Sequence, residues 1–217
     1  LYPKGKVSEV QEKQLTTLGE NITALEVDGT FDDCQNMVKS AFIDSEITEN
    51  VELTSANSIN IARWLAQMFY YFIAYKNRPN PHKDLIISVP SGNFGNLCAG
   101  LVAFKMGLPI KHFIASTNKN DTVPNYLYSG SYEPKKSVST ISNAMDVGDP
   151  SNFIRIQKLF NNDFHKMKKV ISGYAYTDSQ TRKAMKEIYD ESKYISDPHG
   201  AVSYLGLKAY LGQLRNE

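Results

Sequence analysis

The sequence predicts an α/β fold with a mostly parallel sheet, and three observations lead to this class. Helical and strand patterns alternate along the chain. The segment "DLIISVP" at 84–90 forms one continuous apolar run, which is typical of a parallel strand covered on both faces. This strand, a helix and a second strand follow one another within about thirty residues, the arrangement of a right-handed βαβ crossover.

The chain begins with the pattern of a βαβα unit. A capping box formed by Ser8 and Gln11 predicts a helix over residues 8–18. The alternating, β-branched run at 21–27 predicts a strand. Thr30 is then expected to begin a second helix, whose apolar positions lie on one face.

A long helix with a broad apolar face is expected next. Leu65, Met68 and Phe72 recur at helical spacing between residues 61 and 73, and further apolar residues widen their face. Such a helix is expected to be packed on both sides rather than to lie on the surface.

The remaining predicted elements continue the alternation after the first apolar strand. They are a helix at 96–106, a strand at 110–116, a loop-rich segment at 117–150, a strand at 170–176, a helix capped by Asp178 and ending at Tyr189, and a helix at 199–213 capped by Asp197. The loop-rich segment is long for a connection without regular structure, so it is a candidate functional segment.

The composition excludes several classes of function. The chain has 24 basic and 23 acidic residues and no basic stripe, which argues against nucleic acid and charged membrane surfaces as partners. No signal peptide or membrane-spanning stretch is visible. The two cysteines, Cys34 and Cys98, are expected to be free thiols in a reducing cytoplasm. The four histidines show no metal-ligand spacing, so no metal site is expected.

The turn at 91–96, Ser-Gly-Asn-Phe-Gly-Asn, is the main candidate site. A nucleotide P-loop is excluded because Leu101 follows Gly100, where that motif needs a lysine. The dinucleotide fingerprint is excluded because no glycine lies between Gly92 and Gly95. Two interpretations remain. One is a cup for a compact phosphate monoester at a helix N-terminus, and the other is an ordinary tight turn between a strand and a helix.

The stretch "SVPSGNFGNLCAG" resembles the phosphate-binding loop of the threonine synthase family. Other stretches resemble segments of the same family in the same order, namely "YPKGKVSEVQEKQLTTLGENI", "SANSINIARWLAQMFYYF", "STNKNDTVPNYLYSG", "STISNAMDVGDPSNF" and "DPHGAVSYLGL". The resemblance implies a three-layer αβα fold with mostly parallel sheets, like tryptophan synthase β (pyridoxal-phosphate fold type II), and two subdomains. Residues 1–54 would belong to the smaller, mobile βα domain, and residues 55–217 to the incomplete core of the larger, cofactor-binding domain.

The same resemblance implies a cofactor, pyridoxal 5′-phosphate, and a substrate, O-phosphohomoserine. The family converts this substrate and water into threonine and phosphate. The cofactor phosphate would be held by Gly92, Asn93, Phe94, Gly95 and Asn96. The substrate phosphate would be held by Asn57, Ser58, Asn60 and Arg63. Read locally, the polar residues of this second set are also suitable helix caps, and the arginine is also suitable as a packed or salt-bridged helix residue. The protein is expected to be cytoplasmic and to act as a monomer or homodimer.

The family's Schiff-base lysine is expected upstream of Leu1, because no match to its segment occurs in this sequence. Lys105 lies in similar local sequence but is placed more than two turns along the helix behind the turn, so it is excluded. The chain is therefore expected to be a piece of a longer protein, with half a site and no catalysis of its own. Asp121, Asp146 and His199 lie in stretches that resemble the family, and no chemical role is assigned to them.

Two alternative functions remain open. The first is another enzyme of this fold type, such as a serine/threonine dehydratase or a cysteine synthase, although those lack the "NSIN" segment with its arginine. The second is a non-catalytic homologue that binds a phosphorylated ligand. A lysine in the family's upstream motif would favour an enzyme, and its absence would favour the binding protein.

Overall fold

The computed structural model describes residues 1–58 and 60–215. The chain divides into two compact units, Leu1–Thr54 and Ser55–Glu217. That the first unit is part of a smaller mobile domain stays a prediction.

The first unit has the βαβα order that its sequence predicts. Its elements are β1 (Tyr2–Pro3), α1 (Glu9–Thr16), β2 (Glu26–Val27), α2 (Phe31–Ile43) and a short α3 (Ser45–Thr48). Ser8 caps α1 in the predicted capping box with Gln11, and Thr30 caps α2 in a second capping box. The predicted strand at 21–27 was too long, because β2 has only the two residues of β1 to pair with.

The second unit carries a parallel sheet and its covering helices. Its elements are α4 (Ile61–Leu65), α5 (Met68–Lys76), β3 (Ile86–Pro90), α6 (Gly95–Lys105), β4 (His112–Thr117), α7 (Thr122–Ser129), a 3₁₀ turn (Asn143–Met145), α8 (Phe153–Leu159), α9 (Phe164–Lys168), β5 (Ile171–Ala175), α10 (Asp178–Ser192) and α11 (Pro198–Leu214). Within the described residues the strands lie in the order β3-β4-β5. Both neighbouring pairs are parallel, which confirms the predicted β3-α6-β4 arrangement as a parallel pair.

The most deeply buried strand is β4 rather than β3. All six residues of β4 are buried, whereas only Val89 is buried in β3, which lies at the edge of this sheet. The segment at 84–90 is therefore less deeply buried than its continuous apolar run suggests, although Val89 belongs to the core and Ser88 exchanges hydrogen bonds with Ser203 of α11. The core forms mainly where α6 packs beside β4, with Leu97, Cys98, Leu101 and Phe113 almost fully buried.

The long helix expected around residues 61–73 is divided into α4 and α5. Around the junction the backbone N–H of Gln67 donates to Trp64 O, and that of Tyr70 to Gln67 O, which tightens the turn to a 3₁₀ pattern. Phe69 is 57% exposed and Ile73 is 55% exposed. The expectation of packing on both sides was therefore wrong.

Other helices differ from the sequence prediction in number and extent. The segment expected to be loop-rich contains α7 and the 3₁₀ turn, and α8 and α9 follow it. The N-cap of α10 is Thr177, whose side chain accepts from Gln180 N, so the cap lies one residue before the predicted Asp178. The predicted cap of α11, Asp197, is confirmed.

Both cysteines are free, as the sequence predicts, and both are buried. Burial raises the pKa of Cys98 to about 12, so its thiol stays protonated and unreactive in the folded chain. Across residues 1–58 and 60–215, no helix combines the length and the apolar character needed to cross a membrane. The same residues contain no cluster of side chains suited to a metal ion.

Candidate functional site

The candidate site is the turn at 91–96, called the cup, which joins β3 to α6. Phe94 is the N-cap residue of α6 and has a left-handed backbone, with φ +61°. A bulky residue with this conformation needs support from its surroundings. That support comes from burial, since Phe94 is 3% exposed and its ring meets that of Phe153 edge-on at 5.9 Å between centroids.

Gly92 is required in the cup because another segment of backbone lies directly against it. A Cβ added at Gly92 would lie 2.7 Å from Met145 Cα and 2.9 Å from Ala144 O. Real side chains do not tolerate such separations from backbone atoms. The 3₁₀ turn therefore forms one wall of the cup.

The N-terminus of α6 suits an anion. Phe94 makes no side-chain hydrogen bond to the helix, so the N-cap residue does not satisfy the first-turn N–H groups. These groups and the helix dipole together give a partial positive charge at the position where α6 leaves the cup. A bound phosphate dianion would be stabilised there without a titrating side chain, which fits the predicted role of the cup.

Asn93 connects the cup to two other segments. Its Nδ2 donates to Ser58 Oγ at 2.9 Å, and its Oδ1 accepts from the backbone N–H of Ser151 at 2.7 Å. Its backbone carbonyl accepts from Asn152 Nδ2 at 2.9 Å. The cup residue predicted to hold the cofactor phosphate is thus joined directly to a residue predicted to hold the substrate phosphate.

Asn152 and Arg155 belong to the site and were not singled out from the sequence. Asn152 is fully buried, and its Nδ2 bridges Asn93 O and Ser58 Oγ. Arg155 Nη1 donates to Asn152 Oδ1 at 2.5 Å and to Ser58 O at 2.9 Å. The available signal was their spacing, because the N-cap residue Asn152 and Arg155 in the first turn of α8 are three positions apart and lie on one side of the helix.

The side chain of Asn96 is directed away from the cup. Its Nδ2 donates to Gln67 Oε1 at 2.9 Å, and its Oδ1 accepts from the Tyr71 hydroxyl at 2.7 Å. Burial raises the pKa of Tyr71, so this hydroxyl remains a donor. Asn96 therefore ties α6 to α5 through its side chain.

The four residues predicted for the substrate phosphate are placed differently from one another. Ser58 contacts the cup as described, and its Oγ donates to Asn57 Oδ1 at 3.2 Å. Asn60 is the N-cap of α4, with Oδ1 accepting from Ala62 N at 3.0 Å. Arg63 is exposed, and Ile59 lies outside the described residues. The structure thus places Ser58 at the cup and gives Asn60 a local capping role.

Lys105 lies at the opposite end of α6 from the cup. It lies ten positions after Gly95 in the helix, a distance of about 15 Å along the axis. Its ammonium group lies 4.5 Å from the centre of the Phe160 ring.

Asp121 and His199 have local partners. Asp121 pairs with Lys135 at 3.2 Å, and His199 Nδ1 lies 3.8 Å from Asp197 Oδ1. Neither contact supplies a role in chemistry at the cup.

The chain is thus an α/β protein with a parallel sheet, and its glycine-containing turn lies at the carboxyl end of β3. The family model described as "Pyridoxal-phosphate dependent enzyme" matches residues 1–217, and the chain belongs to this family. The predicted family and cofactor class are thereby confirmed.

Similar proteins and structures agree with this membership. The chain is 51% identical to the threonine synthase of Buchnera aphidicola from Acyrthosiphon pisum, over 97% of this chain and 49% of that protein. It matches the crystal structure of threonine synthase from Escherichia coli with a TM-score of 0.90 and 48% identity, covering 96% of this chain and 48% of that one. A structure of threonine synthase from Brucella melitensis with bound pyridoxal phosphate matches with a TM-score of 0.80 and 34% identity, covering 95% of this chain and 50% of that one.

These matches confirm the predicted fold type. The chain spans about half the length of the curated relatives it matches.

Proposed function

We propose that this chain is the phosphate-binding part of a threonine synthase, which converts O-phosphohomoserine and water into threonine and phosphate. The observation that carries the proposal is identity near 50% to threonine synthases over almost the whole chain, 51% in one case and 49% in the Escherichia coli enzyme. The contacts between Ser58 and the cup support it, because they join the two predicted phosphate sites in one polar network.

In this proposal the cup holds the phosphate of pyridoxal phosphate. The bound cofactor supplies an electron sink for the substrate carbons, and the protein supplies binding and orientation. Backbone N–H groups of residues 92–96 and the N-terminus of α6 bind the phosphate. Gly92 allows close approach to the 3₁₀ turn, and Phe94 holds the turn in the conformation that begins the helix.

The substrate phosphate is assigned to the segment of Asn57, Ser58, Asn60 and Arg63. Arg63 is exposed on α4 and can form a charge-assisted, bidentate pair with a phosphate. Ser58 acts chiefly by fixing this segment beside the cup, since its Oγ accepts from both Asn93 and Asn152. Cytoplasmic localisation and a monomeric or homodimeric state remain predictions.

A chimera tests the proposal. This chain replaces the matching segment of the Escherichia coli enzyme, to which it is 49% identical over 212 residues. The chimera is expected to release phosphate from O-phosphohomoserine and to form threonine. A second chimera carrying Gly92→Val is the matched control, and it is expected to lose cofactor binding because its side chain meets the Met145 backbone.

The result has three informative outcomes. Threonine and phosphate formed in equal amounts support the proposal. A folded chimera that retains pyridoxal phosphate but releases ammonia from serine or threonine instead identifies a dehydratase. A folded chimera that binds the cofactor and turns over neither substrate identifies a binding protein, and both of the last two outcomes overturn the proposal.

A further inference from the structure

Asp146, which is itself partly buried, is the centre of a polar network next to the cup, and its partners in this network are buried. Its Oδ1 accepts from Thr140 Oγ1 at 2.7 Å and from Asn118 Nδ2 at 2.8 Å, and its Oδ2 accepts from Thr140 N at 3.0 Å. Asn120 Nδ2 adds a further bond at 3.2 Å. A carboxylate with four donors is well satisfied, and such a network holds its members in a single arrangement.

The network fixes a long loop to the end of β4. Asn118 and Asn120 follow β4 directly, and both are buried. Asn120 also exchanges hydrogen bonds with the backbone of Val138, through its Nδ2 to Val138 O at 3.0 Å and from Val138 N to its Oδ1 at 2.8 Å. The loop is thereby held at both Val138 and Asp146 by residues of the sheet's carboxyl edge.

The fixed part of this loop is the wall of the cup. Ala144 and Met145, which press against Gly92, immediately precede Asp146. Met145 N also donates to Ser142 O at 2.9 Å, and Ser142 is itself buried in the network. The position of the wall relative to Gly92 therefore depends on the network that Asp146 organises.

We propose that Asp146 is a positioning residue for the cup, acting through the backbone of Ala144 and Met145 on Gly92. It is not proposed to touch cofactor or substrate. Its carboxylate sets the place of the 3₁₀ turn, and the turn sets the shape of the backbone that faces the phosphate. The effect on ligand affinity rests on the proposed function, whereas the effect on the conformation of the cup does not.

The first test is backbone hydrogen exchange in the whole chain with Asp146→Asn. An asparagine places an NH₂ group against donors that now meet a carboxylate oxygen, so the network loses at least one bond to a charged acceptor. We expect amides in both 140–148 and 91–96 to exchange roughly tenfold faster or more, in keeping with the loss of one such bond. Asp149→Asn is the matched control, because Asp149 lies outside the network and accepts from the Tyr132 hydroxyl.

The second test uses the chimera with the Escherichia coli enzyme, in which the site is complete, and measures binding of pyridoxal phosphate and of pyridoxal, which lacks the phosphate. We expect Asp146→Asn to weaken pyridoxal phosphate binding several-fold more than pyridoxal binding, and Asp149→Asn to leave both unchanged. If Asp146→Asn does not fold, the same two tests are made with Thr140→Val, and the same results are expected. This substitution removes the hydroxyl that donates to Asp146 Oδ1 and keeps the bond from the Thr140 backbone N–H to Asp146 Oδ2.

The outcomes separate this inference from the proposed function. Faster exchange in 140–148 with unchanged exchange in 91–96 overturns the positioning role. Equal weakening of pyridoxal and pyridoxal phosphate overturns it as well. Faster exchange in both segments, with no binding of pyridoxal phosphate even by the chimera that carries the unsubstituted chain, supports the positioning role and counts against the proposed function.

Discussion

At the scale of single residues, the site depends on side chains that hold backbone segments together. Asn152 bridges the cup and Ser58 with one amide group, and Arg155 fixes the orientation of that amide. Neither residue lies in a sequence motif that predicts this role. Gly92 and Asn93 were predicted as site residues because glycine-containing turns after strands have a characteristic pattern, whereas Asn152 reaches the cup only through tertiary packing.

Substitution of Arg155 should lower stability without removing a core side chain. Arg155→Met removes two hydrogen bonds of a charged donor and leaves Asn152 Oδ1 short of a partner. Hydrogen bonds to charged groups contribute about 1.5–3 kcal/mol each, so the loss of these two bonds is expected to lower the free energy of unfolding by about 3 kcal/mol, the lower end of their sum. Urea denaturation followed by circular dichroism measures it. Lys158→Met, an exposed position on the same helix, is the control, and an equal loss in both variants would contradict the prediction.

At the scale of helices and strands, β4 is the middle strand of the β3-β4-β5 sheet, and all six of its residues are buried. His112, its first residue, stacks on Tyr210 of α11 with ring centroids 4.5 Å apart. Its Nε2 lies 2.9 Å from Ser172 Oγ of β5. Burial lowers the pKa of His112, because the charged imidazolium is poorly solvated there.

This burial predicts a pH dependence of stability. The folded chain resists protonation of His112 and the unfolded chain does not, so the free energy of unfolding should fall as the pH drops below about 6.5 and level off below the lowered pKa. Urea denaturation at pH 8 and pH 5 should show that the free energy of unfolding falls less between these two pH values for His112→Gln than for the unsubstituted chain. His82→Gln, at an exposed position, should lose as much free energy of unfolding between pH 8 and pH 5 as the unsubstituted chain. Identical losses in all three proteins would rule out this role for His112.

The sequence was informative where structure is decided locally and less so where it is decided by packing. The capping box of α1, the cap of α2 at Thr30 and the start of α11 were predicted because the capping residues lie within three positions of their partners. The division between α4 and α5 was not predicted, since an apolar period continues through it. The burial of β3 was overestimated because an apolar run does not say how many strands lie beside it.

At the scale of the whole molecule, the two compact units differ in how much they bury. In α2 the buried residues are Cys34 and Gln35, whereas α6 buries Leu97, Cys98, Ala99, Gly100, Leu101 and Ala103. Local opening is easiest where few apolar contacts must be broken. The free energy of local opening is therefore expected to be lower in α2 than in α6.

Hydrogen exchange measures this unevenness directly. Amides of α2 should exchange at least about tenfold faster than those of α6, a difference of about 1.4 kcal/mol in opening free energy. Phe113→Ala should reduce the difference in exchange rate between α2 and α6. It removes a large buried side chain beside α6, and amides of that helix should therefore exchange faster. Equal exchange in the two helices of the unsubstituted chain would show that the chain opens as one cooperative body.

The shared hydrogen bonds of Ser58, Asn93 and Asn152 also constrain how this sequence can change. Three positions far apart in the chain use one another's polar atoms, so a substitution at one alters what is tolerated at the other two. Double-mutant combinations among them will be strongly non-additive. Segments exchanged between homologues will function best when these three residues are inherited from a single parent.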